Sequence, residues 1–171
     1  MKKIVIVTWL GNGNYGTSLQ SFALHKILQN QGYNVAFLQY LPKCFTYKDG
    51  IKIFFNKFGI SISNIKNFLK NRMLSIKDKK IKKFINDNYN LKIIYSQKQK
   101  QKLLQATDVF ITGSDQIWNT KYNFDPFYFL DFAGSNKRIA YASSMGISDF
   151  PNEHKAEIKR LLLKFSHIGV R

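Results

Sequence analysis

Residues 4–18 read IVIVTWLGNGNYGTS, a continuous apolar and β-branched run that leads into a loop with three glycines. The run Ile4–Thr8 predicts a first strand, and its lack of polar alternation is typical of a sheet covered on both faces, as parallel sheets are. The spacing predicts a helix after the loop, over about residues 18–31, with Thr17 as its N-cap and Gly32 at its end. A second strand is predicted over residues 34–40. These elements make a βαβ unit, whose crossover should be right-handed.

The helix of this unit has a wide apolar face. Helical spacing predicts that His25 lies on the outer side of the helix. It predicts an inner face made of Leu19, Ala23, Leu24, Ile27 and Leu28.

The same alternation of strands and helices returns near residue 101. Strands are predicted over residues 108–112 and 138–143, a helix from Pro151, and the start of another strand over residues 166–171. The pattern predicts a Rossmann-like α/β fold, a parallel sheet with flanking helices. Because no crossover helix follows the last strand, we expect residues 1–171 to be an amino-terminal Rossmann-like domain truncated at its C-terminus.

Residues 43–102 interrupt this rhythm. Apolar residues at helical spacing, such as Ile65, Phe68, Ile81 and Phe84, alternate there with lysines. This pattern predicts basic amphipathic helices. We interpret residues 43–102 as a basic helical insertion within the domain.

Length and composition exclude several classes of protein. With 171 residues, 44% hydrophobic and 22% charged, the chain has the composition of one globular domain. No run approaches the roughly 18 apolar residues of a spanning helix, which argues against an integral membrane protein. The apolar run from Ile4 to Leu10 is short and has no cleavage site, so we expect a strand rather than a signal peptide, and a cytoplasmic protein. The single cysteine, Cys44, excludes a disulfide framework, and no two histidines have metal-ligand spacing, so no metal site is predicted.

The chain is strongly basic, with 27 Lys and Arg against 10 Asp and Glu and a formal net charge of +17. Residues 1–107 carry 19 basic and three acidic residues, whereas residues 108–171 carry eight and seven. Of the cations, 23 are Lys and four are Arg, whereas specific nucleic-acid readers depend on the Arg fork. The balance argues against specific nucleic-acid binding and leaves two readings, a lysine-rich solvated face or contact with an anionic membrane surface.

The first candidate site is the glycine loop. Residues 11–16 match G-x-G-x-x-G between a strand and a helix, but no acid to hold a ribose follows before Tyr40, so a nicotinamide cofactor is not expected. The backbone N–H groups of a glycine loop and a helix N-terminus suit an anion. The predicted anion-binding residues are Gly13, Asn14, Tyr15, Gly16 and Thr17, and the alternative is a structural turn.

The second candidate site follows the strand over residues 108–112. Ligands of open parallel sheets bind at the carboxyl ends of strands. The polar residues there are Gly113, Ser114, Asp115, Gln116 and Trp118, and the neighbouring predicted strand ends in Ser143 and Ser144. Asp115 is the best candidate acid or base. In the alternative reading, Asp115 caps the next helix, Trp118 belongs to the core and the two serines are small packing residues.

The chain resembles the polysaccharide pyruvyl transferase family. The resemblance rests on GNYGTSLQ (13–20), FITGSDQIWN (110–119), FYFLDF (127–132) and KRIAYASSMG (137–146). It implies one half of a two-domain enzyme built like the GT-B glycosyltransferases, with the active site between the halves. Family members are about twice as long, and the basic residues and histidines that hold phosphoenolpyruvate lie largely in the carboxyl-terminal half, which we expect to be missing here.

The resemblance implies transfer of pyruvate from phosphoenolpyruvate to the hydroxyls of a sugar as a ketal, in exopolysaccharide biosynthesis. Asp115 would be the base or the acceptor of a sugar hydroxyl, and Trp118 and Tyr15 would offer flat faces to the sugar. The implied partners are phosphoenolpyruvate and a glycan acceptor, lipid-linked at the inner face of the membrane, with residues 43–102 in peripheral membrane contact. Two alternatives stay open, a nucleotide-sugar glycosyltransferase half-domain and an inactive, truncated sugar-binding module.

Overall fold

The computed structural model describes residues 1–10, 14–39, 76–94, 96–113, 115–120 and 124–170. These residues form one sheet of six strands, in the order β3-β2-β1-β4-β5-β6, and every neighbouring pair is parallel. The predicted Rossmann-like α/β fold is therefore confirmed. The strands are β1 (Lys3–Val7), β2 (Asn34–Gln39), β3 (Leu91–Ile93), β4 (Val109–Gly113), β5 (Lys137–Ser143) and β6 (His167–Val170).

Helices flank this sheet. Two short 3₁₀ turns, Pro126–Phe129 and Asp131–Ala133, connect β4 to β5. Within the described residues, no helix has both the length and the hydropathy needed to cross a bilayer. The α-helices are α1 (Tyr15–Asn30), α2 (Ile76–Asn88), α3 (Gln97–Gln105) and α4 (Asn152–Leu162).

The central strand β1 is buried on both faces. Ile4 and Ile6 pack in a cluster with Leu24 of α1 and Phe37 of β2. Val5 and Val7 point to the opposite face and pack with Phe110 and Leu130, among others. The unbroken apolar run of β1 thus reflects two hydrophobic layers, because each side of the strand needs its own apolar residues.

The structure corrects the predicted start and inner face of α1. The helix begins at Tyr15 and is capped by Asn14, whose side-chain oxygen accepts from the Gly16 N–H at 2.8 Å, so Thr17 is not the cap. Leu19 and Ile27 are 60% and 55% exposed, and Ala23 is exposed as well. The face that is buried carries Thr17, Ser18, Ser21, Leu24 and His25.

Small polar side chains on α1 explain why this face is buried instead of the predicted one. The Ser21 hydroxyl lies 2.8 Å from the Tyr89 hydroxyl, and that hydroxyl donates to the Ser18 carbonyl at 2.8 Å. His25, expected on the outer side, is only 2% exposed and packs against the rings of Phe37 and Tyr89. The small side chains let Tyr89 and α2 approach α1 closely, and that approach selects the buried face.

Part of the expected insertion contributes to the sheet. Helix α2 buries Ile81 and Ile85 in the cluster of Ile4 and Leu24, and Leu91–Ile93 then pairs with β2 as the edge strand β3. Strand β3 is not predicted from the sequence, because three residues are too few to show a periodicity. Residues 43–75 of the insertion lie outside the described residues.

Candidate functional site

The two candidate segments lie together at the carboxyl edge of the sheet. The Thr17 hydroxyl, in the first turn of α1, donates to Oδ2 of Asp115 at 2.7 Å. The turn after β4 is joined to the end of β5 as well, because the Ser144 N–H donates to the Asp115 carbonyl at 3.1 Å and the Trp118 N–H to the Ser144 carbonyl at 3.2 Å. The first turn of α1, the turn after β4 and the loop after β5 therefore meet at Asp115.

Asp115 is half-buried, and each of its carboxylate oxygens has a donor. Thr17 occupies Oδ2, and the Gln116 N–H donates to Oδ1 at 2.8 Å. The alternative reading required Asp115 to cap a helix. Residues 115–118 form turns instead, so Asp115 is not a helix cap. A carboxylate has about four lone-pair positions, so each oxygen can still accept a hydrogen bond from a ligand hydroxyl.

The N-terminus of α1 is the other component of the site. Asn14, Tyr15 and Gly16 are exposed there, next to the buried Thr17. The N-terminus of a helix carries a partial positive charge, and the Asp115 carboxylate lies beside its first turn through Thr17. This helix end is therefore already partly neutralised by a protein carboxylate. Gly13, the first residue of the predicted anion loop, lies outside the described residues, as does Ser114.

Unusual backbone conformations hold the ends of β4 and β5 together. Gly113 has a φ of 144°, and a Cβ there would overlap the Tyr141 carbonyl oxygen. Ala142 has a φ of 52°, at a register shift between Tyr141 and Ser143. Such a bulge turns the following side chains, and backbone strain of this kind is concentrated at functional sites.

The bulge separates the roles of the two predicted serines. Ser143 is buried, and its hydroxyl donates to the Thr112 carbonyl at 3.3 Å. Ser144 is half-buried in the loop, where its hydroxyl accepts from the Gly146 N–H at 3.2 Å. The Ser143 hydroxyl is thus bonded to β4, whereas the Ser144 hydroxyl lies in the half-buried loop.

A pair of amide side chains covers the loop after β5. Gln116 Oε1 accepts from Asn119 Nδ2 at 3.3 Å. Gly146, with a φ of 64°, lies beneath them, and a Cβ there would be 2.5 Å from Gln116 Oε1. Asn119 and Gly146 are not among the predicted site residues, although both lie in the segments that carry the family resemblance.

Trp118 is packed in the core, and its contact with a sugar stays a prediction. Its side chain is 4% exposed and stacks on Phe129 with centroids 5.4 Å apart, while Phe165 meets it edge-on at 5.9 Å. Its Nε1–H donates to the Tyr128 carbonyl at 3.2 Å. Tyr15, the other predicted flat face, is 49% exposed.

Open space adjoins these residues. A cavity of about 630 Å³ lies at the carboxyl ends of β5 and β6 and is lined by Ser143, Ser144, Gly146 and several apolar side chains. Ser144 lines this cavity and also binds the Asp115 backbone, so the cavity begins next to the Asp115 turn. Among the described residues, no group of three His, Cys, Asp or Glu side chains is placed to hold a metal ion.

Comparison with known proteins assigns the family. No curated protein matches the chain. The family model described as polysaccharide pyruvyl transferase matches residues 14–171, a range that includes Asn14, Thr17, Asp115 and Ser144. Since this match covers most of the chain, the protein belongs to the polysaccharide pyruvyl transferase family.

Proposed function

We propose that this protein transfers pyruvate from phosphoenolpyruvate to two hydroxyls of one sugar in a polysaccharide, which yields a cyclic ketal and inorganic phosphate. The family supports a transferase with a polysaccharide acceptor. The observation that carries the proposal is the 2.7 Å hydrogen bond from Thr17 to Asp115, since it unites a helix N-terminus, a carboxylate and an adjoining cavity at one edge.

The reaction defines what a site must supply. A proton adds to the methylene carbon of phosphoenolpyruvate, and the first sugar oxygen bonds to the neighbouring carbon. The second sugar oxygen then displaces phosphate from that carbon. The two sugar hydroxyls lose two protons in total. One is matched by the proton that the methylene carbon gains, and the other leaves with phosphate. A group that accepts hydroxyl protons and donors that hold the anionic co-substrate are therefore required.

In this proposal Asp115 binds the attacking sugar hydroxyl. Its two oxygens are oriented by Thr17 and by the Gln116 N–H, which leaves acceptor positions directed away from both donors. A fixed acceptor orients a hydroxyl oxygen towards the donor carbon and takes its proton as the new bond forms.

The first turn of α1 is proposed to help hold phosphoenolpyruvate. Gly16 and Asn14 are exposed, and helix N-termini bind phosphate and carboxylate groups. Because Asp115 already places negative charge there, the helix alone is a weak anion site, and further cations are needed to neutralise the donor. We propose Tyr15 and Ser144 as contacts to the acceptor sugar.

The proposed acceptor is a lipid-linked glycan of exopolysaccharide biosynthesis at the cytoplasmic face of the membrane. Helix α2 supports a membrane-facing surface, because Lys79, Lys80, Lys82 and Lys83 are exposed on it while Ile81 and Ile85 are buried. Clustered lysines attract anionic lipids.

The test is a direct assay with phosphoenolpyruvate and an oligosaccharide acceptor. We expect phosphate release together with a ketal methyl signal in the proton NMR spectrum of the glycan. The substitution Asp115→Asn should reduce both by at least about a hundredfold, the scale of general acid–base catalysis. Asp87→Asn, at an exposed position near the end of α2, is the matched control and should leave them unchanged. Phosphate release without ketal formation, or full activity of Asp115→Asn, would contradict the proposal.

A further inference from the structure

A second cavity lies at the carboxyl edge, apart from the Asp115 carboxylate. It has a volume of about 200 Å³ and is lined by Trp9, Asn119, Thr120, Asp125 and Tyr128, among others. Trp9 follows β1 by two residues, and Asn119 and Thr120 follow β4, so the cavity lies on the side of the sheet where ligands of parallel sheets bind. We call it the Trp9 cavity.

Thr120 places a buried hydroxyl in the wall of this cavity. The side chain is 7% exposed, and among the described residues no hydrogen-bond partner lies within reach of its hydroxyl. Buried polar groups are nearly always paired, because an unpaired one loses its hydration without compensation. A ligand with a hydroxyl group would supply the missing partner.

The remaining walls have the chemistry of a sugar site. Trp9 is half-buried, and its ring meets Tyr128 edge-on with centroids 6.3 Å apart, which fixes the orientation of the indole. Asp125 Oδ1 accepts from the Phe127 N–H at 2.9 Å, so the carboxylate is held in place and keeps acceptor capacity. A rigid aromatic surface suits the apolar C–H face of a pyranose, while carboxylate, amide and hydroxyl groups suit its hydroxyls.

We propose that the Trp9 cavity binds one hexopyranose ring of the glycan. The inference rests on the proposed function for the role of that glycan as the acceptor. The cavity fits a single sugar ring, because its volume of about 200 Å³ is smaller than the roughly 300–1,000 Å³ of pockets that hold drug-sized ligands. The Asp125 carboxylate disfavours phosphoenolpyruvate, which carries two anionic groups. A sugar ring bound here would anchor the glycan at the same edge as Asp115.

The experiment measures sugar binding without phosphoenolpyruvate, so it is independent of the transfer reaction. A panel of methyl hexopyranosides is titrated into the whole protein, and binding is followed by tryptophan fluorescence and by saturation-transfer NMR. The chain has two tryptophans, and both line the cavity, with Trp118 the more deeply buried, so we expect a saturable change in tryptophan emission.

Three substitutions test the walls of the cavity. Trp9→Ala should abolish the binding of the glycoside. Asp125→Asn keeps an oxygen for the Phe127 N–H and should weaken binding. Thr120→Val is nearly isosteric and should weaken binding about tenfold, the effect of one lost hydrogen bond, while raising the Tm. Thr107→Val is the matched control, because the Thr107 hydroxyl already donates to the Leu103 carbonyl at 2.7 Å, and it should lower the Tm and leave binding unchanged.

Several results would overturn the inference. One is the absence of saturable binding for every hexopyranoside. Another is unchanged sugar affinity in Thr120→Val, which would mean that the sugar binds outside the Trp9 cavity. Preferential binding of tetramethylammonium would identify it as a cation site instead. Sugar binding that depends on Trp9 and Thr120, in a protein that releases no phosphate from phosphoenolpyruvate, would support the cavity and contradict the proposed function.

Discussion

The hydroxyl of Thr17 donates a hydrogen bond of 2.7 Å to the carboxylate of Asp115, although the two residues are 98 positions apart in the chain. Thr17 belongs to the first turn of α1, and Asp115 follows β4, the strand beside β1. The bond fixes the orientation of a half-buried carboxylate at the carboxyl edge of the sheet. The sequence predicts Thr17 as a backbone donor to an anion. The hydrogen bond gives its side chain a further role, which is to position the proposed base.

The substitution Thr17→Val should therefore lower activity without abolishing it. Val has a similar volume but no hydroxyl, so Asp115 loses one of its two orienting donors. We expect a decrease in kcat of roughly tenfold and little change in KM for phosphoenolpyruvate, which corresponds to a lost hydrogen bond to a charged group. Thr17→Ser keeps the hydroxyl and should restore most of kcat. Equal activity of the Val and Ser variants would show that the bond has no part in catalysis.

Gly113 should tolerate no side chain. Its φ is 144°, and a Cβ would overlap the Tyr141 carbonyl oxygen and lie 2.9 Å from Ser143 Oγ. We expect Gly113→Ala to lower the free energy of unfolding by roughly 3–5 kcal/mol in urea denaturation. Gly32→Ala separates strain from overlap, because Gly32, just after α1, has a φ of 83° but no atom within 4 Å of a Cβ. It should cost only about 1 kcal/mol, and a similar loss for both variants would refute the predicted clash.

His25 should make the stability of the protein depend on pH. Burial, and to a smaller extent the charge of Lys26, holds the pKa of His25 below the ordinary value of 6.5. The unfolded chain then binds a proton at a higher pH than the folded protein does, so the stability is greatest above pH 6.5 and decreases as the pH falls below it. The limiting slope for one proton is about 1.4 kcal/mol per pH unit.

Urea denaturation between pH 8 and pH 5 measures this effect. His25→Phe should remove most of the slope, because the ring would stay within the aromatic cluster of Phe37 and Tyr89 without a titrating group. His167→Gln, at an exposed position in β6, is the control and should keep the slope of the parent protein. A slope unaffected by His25→Phe would assign the pH dependence to other groups.

The exposed lysines of α2 should bind anionic membranes. Vesicles with phosphatidylglycerol should float together with the protein at low salt and lose it at moderate salt, since each lysine near such a surface contributes about 1 kcal/mol that salt screens. Changing Lys79, Lys80, Lys82 and Lys83 to Glu should abolish flotation.

The control reverses the same number of charges elsewhere on the protein, at the exposed positions Lys2, Lys137, Lys155 and Lys159. If both fourfold variants lose flotation equally, the attraction comes from net charge alone. If neither the parent protein nor its variants float at low salt, α2 is a solvated face.

The strands that the sequence predicted best are those buried on both faces. The predictions for β1, β2 and β4 differ from the structure by one residue at each end or less, since a strand covered on two sides must be apolar throughout. Turn residues and parallel topology also place Asp115 and Ser144 at one edge. Strand β3 was not predicted, because its three residues pair only with β2 and show no pattern of their own.

The face of α1 could not be read from its sequence. Leu19, Ala23 and Ile27 form one apolar row along the helix, and Leu24 with Leu28 forms another, so hydrophobicity alone does not select the buried side. The sheet and Tyr89 select the side that carries Ser18, Ser21 and His25, because small residues allow the closest packing. The same holds for Trp118, whose partners Phe129 and Phe165 come from separate segments.

Local sequence thus determined the class of fold, the order of its main elements and the edge at which polar residues collect, because these follow from hydrophobic periodicity and chain direction. Tertiary structure alone decided that Thr17 holds Asp115, that Trp118 is packed in the core, and that the Thr120 hydroxyl is enclosed with no partner among the residues that the structure describes. Those properties depend on contacts between segments far apart in the chain, and such contacts are set by packing in three dimensions.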